Sequence, residues 1–294
     1  MHSRRYGFTL IELSVVLVII GLIVGGVLVG QDMIRAAGER AQIAQIEKYN
    51  TAANTFRSKF GYLPGDINPT AASQFGLIAR GICSGQSPCL GEGDGNGVIE
   101  GVYSDWSNKN SGTKESAGET VMFWVDLSSP AAGNLMDGGF NTASPNATVN
   151  TIISGTMLPL YFPQAKIGNG AYVYAWSNTG INYFGLSTIS SVGTVCAGCL
   201  SWGSNSNIGL TVRQAYNIDT KIDDGMPETG NVIVFWISGS WLAGDGGPTD
   251  TTTTETPSIT TCYDNSGVGT LPRHYSLSIN NGAEPNCALD FKMQ

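Results

Sequence analysis

Two acidic turns and six cysteines are the residues of this chain whose types and spacing can do chemistry. The first turn is Gly93-Asp94-Gly95-Asn96-Gly97-Val98-Ile99-Glu100. Asp94, Asn96 and Glu100 offer hard oxygen ligands of the kind calcium takes, and the glycines permit a tight wrap. The same Gly and Asn residues suit a plain turn at positive φ, and the spacing is not that of an EF-hand. The second turn is Asn217-Ile218-Asp219-Thr220-Lys221-Ile222-Asp223-Asp224-Gly225-Met226-Pro227. Asp219, Asp223 and Asp224 gather there at the end of an expected helix, where acids oppose the dipole unless Lys221 or a cation compensates. Both segments are read as turns, with a structural calcium ion as the alternative.

The cysteines are Cys83, Cys89, Cys196, Cys199, Cys262 and Cys287. An even number, all beyond an apolar N-terminal segment, fits disulfides in an oxidising compartment. Cys83–Cys89 and Cys262–Cys287 are the favoured pairs, because each closes a short loop containing Gly, Asn or Pro. That leaves Cys196-Ala-Gly-Cys199, read as a structural disulfide, since no second CxxC or His pair accompanies it for zinc, with a redox or metal role as the alternative. Catalysis is not expected. The chain has two histidines, His2 and His274, and lacks G-x-S-x-G, H-E-x-x-H and a phosphate-cradling Gly loop with Lys.

The elements that must position these residues begin with an apolar run from about Gly7 to Val29, interrupted by Glu12 alone. About 22 apolar residues reach roughly 33 Å as a helix, enough to cross a bilayer. A carboxylate inside such a span asks for a partner or a function. A secretory signal peptide would end in a small-residue cleavage site, and Gly25-Gly26-Val27-Leu28-Val29-Gly30 lacks one. Further on, Ile46, Tyr49, Ala53, Phe56 and Phe60 fall at i, i+3, i+7, i+10 and i+14, one stripe of a helix read as core. Gly61 and Pro64 end it. From Phe8 to Phe60 the helix would run about 80 Å, with Gly21, Gly25, Gly26 and Gly30 weakening its membrane half.

Basic Arg4 and Arg5, then Gly7-Phe8-Thr9-Leu10-Ile11-Glu12-Leu13, resemble the N-terminus of type IV prepilins and type II secretion pseudopilins. The resemblance implies removal of residues 1–7 by a prepilin peptidase, which cuts between Gly7 and Phe8 and methylates the Phe8 amine. It implies that Glu12 pairs with Phe8 of a neighbouring subunit, an interaction demanding in register. It also implies a helix at 8–60 and a globular head at 61–294. Phe56 to Asp66, the GDGNG loop and Ile218 to Gly225 with Pro227 and Gly230 resemble a bacterial subgroup of such proteins. No proline precedes Pro64, which tilts the resemblance toward pseudopilins.

The implied fold is α+β, a long N-terminal helix with a membrane half and an amphipathic half, packed on an antiparallel β-sheet head. The implied partners are copies of itself or other pilins in a helical filament, the prepilin peptidase, an inner-membrane assembly platform and the membrane. The implied location is the bacterial inner membrane with a periplasmic head, then a periplasmic or extracellular filament. Arg4 and Arg5 agree with that orientation by the positive-inside bias. The alternative is a low-copy minor subunit whose large head binds a surface, a secreted substrate or DNA at the filament tip; Trp106, Trp202 and Trp241 are read mostly as buried core, with adhesion as their alternative role.

Only 13% of the 294 residues are charged and the net charge is −8, which suits a loop-rich extracellular head and argues against nucleic acid as a partner. Within the head, Glu119–Leu127 is expected as a short amphipathic helix and Thr211–Ile222 as a second helix. Ala171–Ser177, Asn182–Ser187 and Asn231–Ser238 read as strands. Thr249–Thr256 reads as low-complexity loop.

Overall fold

The computed structural model describes residues 9–78, 93–99, 119–140, 153–178, 180–189, 191–192, 206–207, 209–234, 256–259, 261–269 and 272–294. Several sequence expectations lie outside the described residues: Gly7, Phe8, Cys83, Cys89, Glu100, Trp106, Cys196, Cys199, Trp202, Trp241, residues 235–238 of an expected strand and residues 249–255 of the Thr-rich loop.

Helix α1 runs unbroken over Leu10–Phe60, roughly 76 Å at the α-helical rise. The glycines at 21, 25, 26 and 30 do not interrupt it. Gly61 closes it in the left-handed conformation, its N–H donating to the Arg57 carbonyl, which satisfies a carbonyl the helix end would orphan. The helix has two halves. Residues 10–38 have no buried side chain, whereas Glu39, Gln42, Gln45, Ile46, Tyr49, Ala52, Ala53, Phe56 and Phe60 are buried against the head. The apolar stripe expected from spacing is that face, and it continues toward the N-terminus in polar residues.

The described head contains α2 (Pro69–Gln74), α3 (Glu119–Ser128), α4 (Leu158–Tyr161) and α5 (Val212–Ile222). Its strands are β1 (Ile153–Ser154), β2 (Tyr172–Asn178), β3 (Ile181–Ile189), β4 (Ser191–Val192), β5 (Ser206–Asn207), β6 (Val232–Ile233), β7 (Tyr263–Asp264), β8 (His274–Tyr275) and β9 (Leu289–Lys292). The main sheet has the order β2-β3-β9-β6, antiparallel throughout, with β5 pairing the far end of β3. β1–β4 and β7–β8 are two small ribbons. This is the α+β, pilin-like arrangement of a long helix with an antiparallel sheet in the C-terminal part.

The layers meet at aromatic side chains. Tyr49 of α1 lies edge-on to Trp124 of α3 at 4.9 Å, and Phe123 of α3 edge-on to Phe184 of β3 at 5.7 Å. Phe56, Phe123, Trp124 and Phe184 are fully buried, each contributing on the order of 2–3 kcal/mol by area removed from water. Cys262 and Cys287 form a disulfide that ties the β7 segment to the start of β9.

One expectation needs correction, one is met in part among the described residues, and one strand was not foreseen. The helix at Glu119 exists but is not amphipathic, since all ten of its residues are buried, Glu119 and Asp126 included. Its acids turn inward to backbone donors, Glu119 Oε1 accepting from Gly93 N–H and Asp126 Oδ2 from Gly65 N–H. The strand expected at Asn231–Ser238 is paired only at Val232–Ile233 among the described residues. The central strand β9 carries no run of β-branched residues and was not expected at all.

Candidate functional site

Built upward from its start, α1 opens at Thr9, an extended N-cap residue. Thr9 Oγ1 accepts from the Glu12 N–H at 3.3 Å, and Glu12 Oε2 accepts from Thr9 N–H at 2.8 Å and from Thr9 Oγ1–H at 2.7 Å. This is a capping box, two side chains reciprocally satisfying donors that a helix start leaves orphaned. The carboxylate that interrupts the apolar run is thus held by its own chain, through Thr9. Its expected partner, the Phe8 amine, lies outside the described residues.

Around that box the helix surface is apolar and bare. α1 is long and apolar enough to cross a membrane, and its most apolar stretch has no buried residue. Leu10, Ile11, Leu22 and Ile34 are each more than two-thirds exposed. A surface so apolar is stable only against lipid or other apolar helices.

Where α1 reaches the head, polar residues take over. Glu39 is buried, pairs with Lys221 Nζ at 2.5 Å and accepts from Asn217 Nδ2 at 2.9 Å, both on α5. Gln42 Oε1 accepts from Ile167 N–H, and Gln45 bonds Lys166 N–H, the Gln164 carbonyl and Tyr49 Oη. Sequence reasoning missed Glu39, Gln42 and Gln45. The signal was their position on the same helical stripe, hidden because a polar residue on a core face reads as its edge.

The first acidic turn closes around an acid that sequence did not connect to it. Asp66 is buried, its Oδ1 accepting from Gly95 N–H (2.8 Å) and Asn96 N–H (3.2 Å), its Oδ2 from Gly97 N–H (2.8 Å). Asp94 accepts from Asn96, and Asn96 Oδ1 from Val98 N–H. Gly93, Gly95 and Gly97 all have positive φ, as the turn requires. Carboxylate oxygens of Asp66, Asp94 and Glu119 lie within 4.8 Å of one another. Burial pushes Asp66 up to about 7, the three backbone donors working against the shift and Asp94 adding to it. The structure therefore gathers Asp94 with Asp66 and Glu119, two residues absent from the sequence-derived set.

At the second turn, Asp219, Asp223 and Asp224 come together as expected, but differently held. Asp219 is fully buried, accepting from Tyr275 Oη–H (2.7 Å) and Gly225 N–H (3.2 Å). Burial raises it to about 7, hydrogen bonding to Tyr275 and Gly225 opposing, the charges of Asp224 and Asp223 assisting. Asp223 accepts from Asn231 and Val232 N–H, and Asp224 from Met226 N–H and Thr229 Oγ1–H. Lys221 does not compensate them, because it is turned to Glu39. The segment is a turn braced by its acids, with one of them buried rather than solvated.

Comparison with known proteins bears on the N-terminal site. Residues 2–28 match the family model described as the prokaryotic N-terminal methylation motif. No match was found among curated proteins or among solved structures. The matched span covers the basic leader, the capping box and the first part of the exposed apolar helix, so this chain carries the prepilin signal of type IV pilins and pseudopilins.

Proposed function

We propose that this protein is a structural subunit of a type IV pilus-like or type II secretion filament. It is held in the inner membrane by α1 with its head on the periplasmic side, cut between Gly7 and Phe8, and polymerised through the exposed half of α1. The observation that carries this reading is the methylation motif on a helix none of whose residues 10–38 is buried. Such a surface needs lipid first and neighbouring helices afterwards, with the assembly platform drawing the subunit from one to the other.

Glu12 then has two partners in turn. Before assembly Thr9 satisfies it. In the filament the Phe8 ammonium of a neighbour takes over, fixing register in an apolar setting. A Glu12→Ala strain should process the chain normally yet form no filaments. Filaments of normal abundance from that strain would refute the reading. The tip-subunit alternative draws on the size of the head at 61–294, and copy number per filament separates it from a shaft subunit. No catalytic role is proposed. Calcium is proposed as a brace of the head loops, with Asp94, Asp66 and Glu119 as first choice because two of these clustered carboxylates are buried, and Asp219, Asp223 and Asp224 as second.

A further inference from the structure

A cleft of about 700 Å³ opens where α1 leaves the head. One wall is α1, through Asp32, Arg35 and Glu39, and the other is the head, through Arg213 and Gln214 of α5 and Asn281. Asp32, Arg35 and Glu39 fall at i, i+3 and i+7, the N-terminal continuation of the buried stripe. The apolar run ends at about Val29, and Met33 and Ile34 continue the exposed apolar surface a turn further, Ile34 itself 74% exposed. After Glu12, Asp32 is the first acid and Arg35 the first base of the helix. The cleft therefore lies at the level where the helix leaves hydrocarbon. Asp32 to Glu39 spans about 10 Å of helix, enough to cross a headgroup layer of roughly 5–8 Å.

The charges in this cleft have capacity to spare. Arg213 donates through Nε and Nη2 to the Asn281 carbonyl at 3.1 and 3.0 Å, and Nη2 also meets the Asn281 side chain. This fixes the guanidinium and leaves Nη1 without a partner among the described residues. Arg35 and Asp32 are exposed and have no hydrogen bond or ion pair among the described residues. Glu39, by contrast, is committed to Lys221 and Asn217. Two guanidinium groups beside a bilayer surface suit a phosphate diester, for which arginine's planar donors are well shaped. Asp32 on the same face suits an amine and disfavours a headgroup with net negative charge.

We propose that this cleft binds the headgroup of an amine-bearing, zwitterionic phospholipid, its phosphate on Arg35 and Arg213 and its ammonium on Asp32. The bound lipid holds the head against the bilayer before assembly. The proposal rests on the membrane-held reading above.

The test uses the full chain reconstituted into vesicles of phosphatidylethanolamine and phosphatidylglycerol in equal parts. Flotation first establishes insertion, and native mass spectrometry then reads the lipid the protein carries out. The wild-type chain should retain a phospholipid enriched in phosphatidylethanolamine. Arg35→Gln, which breaks no hydrogen bond or ion pair among the described residues, should lower retention severalfold, and R35Q/R213Q by roughly tenfold or more. Asp32→Asn should erase the preference for the amine headgroup. Excess inorganic phosphate should leave the lipid in place.

A chain that inserts but carries no lipid, or an R35Q/R213Q chain that carries as much as wild type, would overturn the headgroup site and leave the membrane reading intact. Displacement by phosphate would overturn it in favour of a soluble-anion site. A photo-crosslinker at position 35 that captures a second copy of the chain instead of lipid would overturn it in favour of a subunit contact. Failure to insert would refute both readings.

Discussion

Removing Lys221 tests how α1 is joined to the head. The Glu39 side chain is 4% exposed and its Lys221 partner 39% exposed. Breaking a fully buried ion pair by deleting one member costs roughly 3–5 kcal/mol, because the other charge stays dry. Water can enter where Lys221 leaves, so Lys221→Met should cost about 2–3 kcal/mol. Glu39→Gln keeps an acceptor for Asn217 and frees Lys221 to reach solvent, so about 1 kcal/mol is expected. The two costs should not add. With no charge left to strand, E39Q/K221M should be as stable as E39Q and more stable than K221M. For a head of this size these figures correspond to roughly 5–10 °C for K221M and 2–4 °C for E39Q. The assay is thermal unfolding of the full chain in detergent, followed by near-UV circular dichroism of its tryptophans. A harmless K221M, or a double variant worse than K221M, would refute the stranded-charge reasoning.

Asp290 lies fully buried in β9, accepting from Trp176 Nε1–H at 2.6 Å, and burial raises it well above the ordinary carboxylate range despite that bond. The folded state therefore holds a proton that the unfolded state releases near pH 4. Its contribution to stability is full below that pH and falls as pH rises toward the raised value. Asp290→Asn should flatten that decline in melting temperature, and an unchanged slope would contradict the account. The Cys262–Cys287 disulfide spans a sequence separation of 25. Replacing both cysteines with serine should cost about 3.5 kcal/mol by loop entropy, near 10 °C in melting temperature. A variant melting with the wild type would contradict the tie. Calcium should raise the melting temperature of the wild-type chain but not of Asp94→Ala, and an equal shift in both would place the ion elsewhere.

What could be read from sequence follows from how locally each signal is written. The Phe56–Phe60 end of the stripe, the Gly61 cap and the helix at 211–222 depend on residues within a turn or two, and each was visible. The strands at 171–177 and 182–187 were found a residue or two from their observed bounds, because aromatic and β-branched content marks existence better than ends. The pairings that make the sites were not visible. Asp66 meets the GDGNG loop across roughly thirty residues and Glu119 meets it from the other side, with no periodicity to link them. Glu39 and Lys221 are 182 residues apart, and locally Lys221 looked like the partner of its neighbouring acids. β9 passed unnoticed since Leu289-Asp290-Phe291-Lys292 alternates like a surface strand, whereas both its faces are covered and Asp290 is buried along with Leu289 and Phe291.

The central claim is that this is a processed, polymerising subunit. It is tested most directly by intact mass and N-terminal analysis of the protein in filaments sheared from cells. The account predicts a chain that begins at N-methyl-Phe8 and lacks Met1 to Gly7. A chain retaining Met1 to Gly7 and found only in membranes would contradict it and leave an anchored protein.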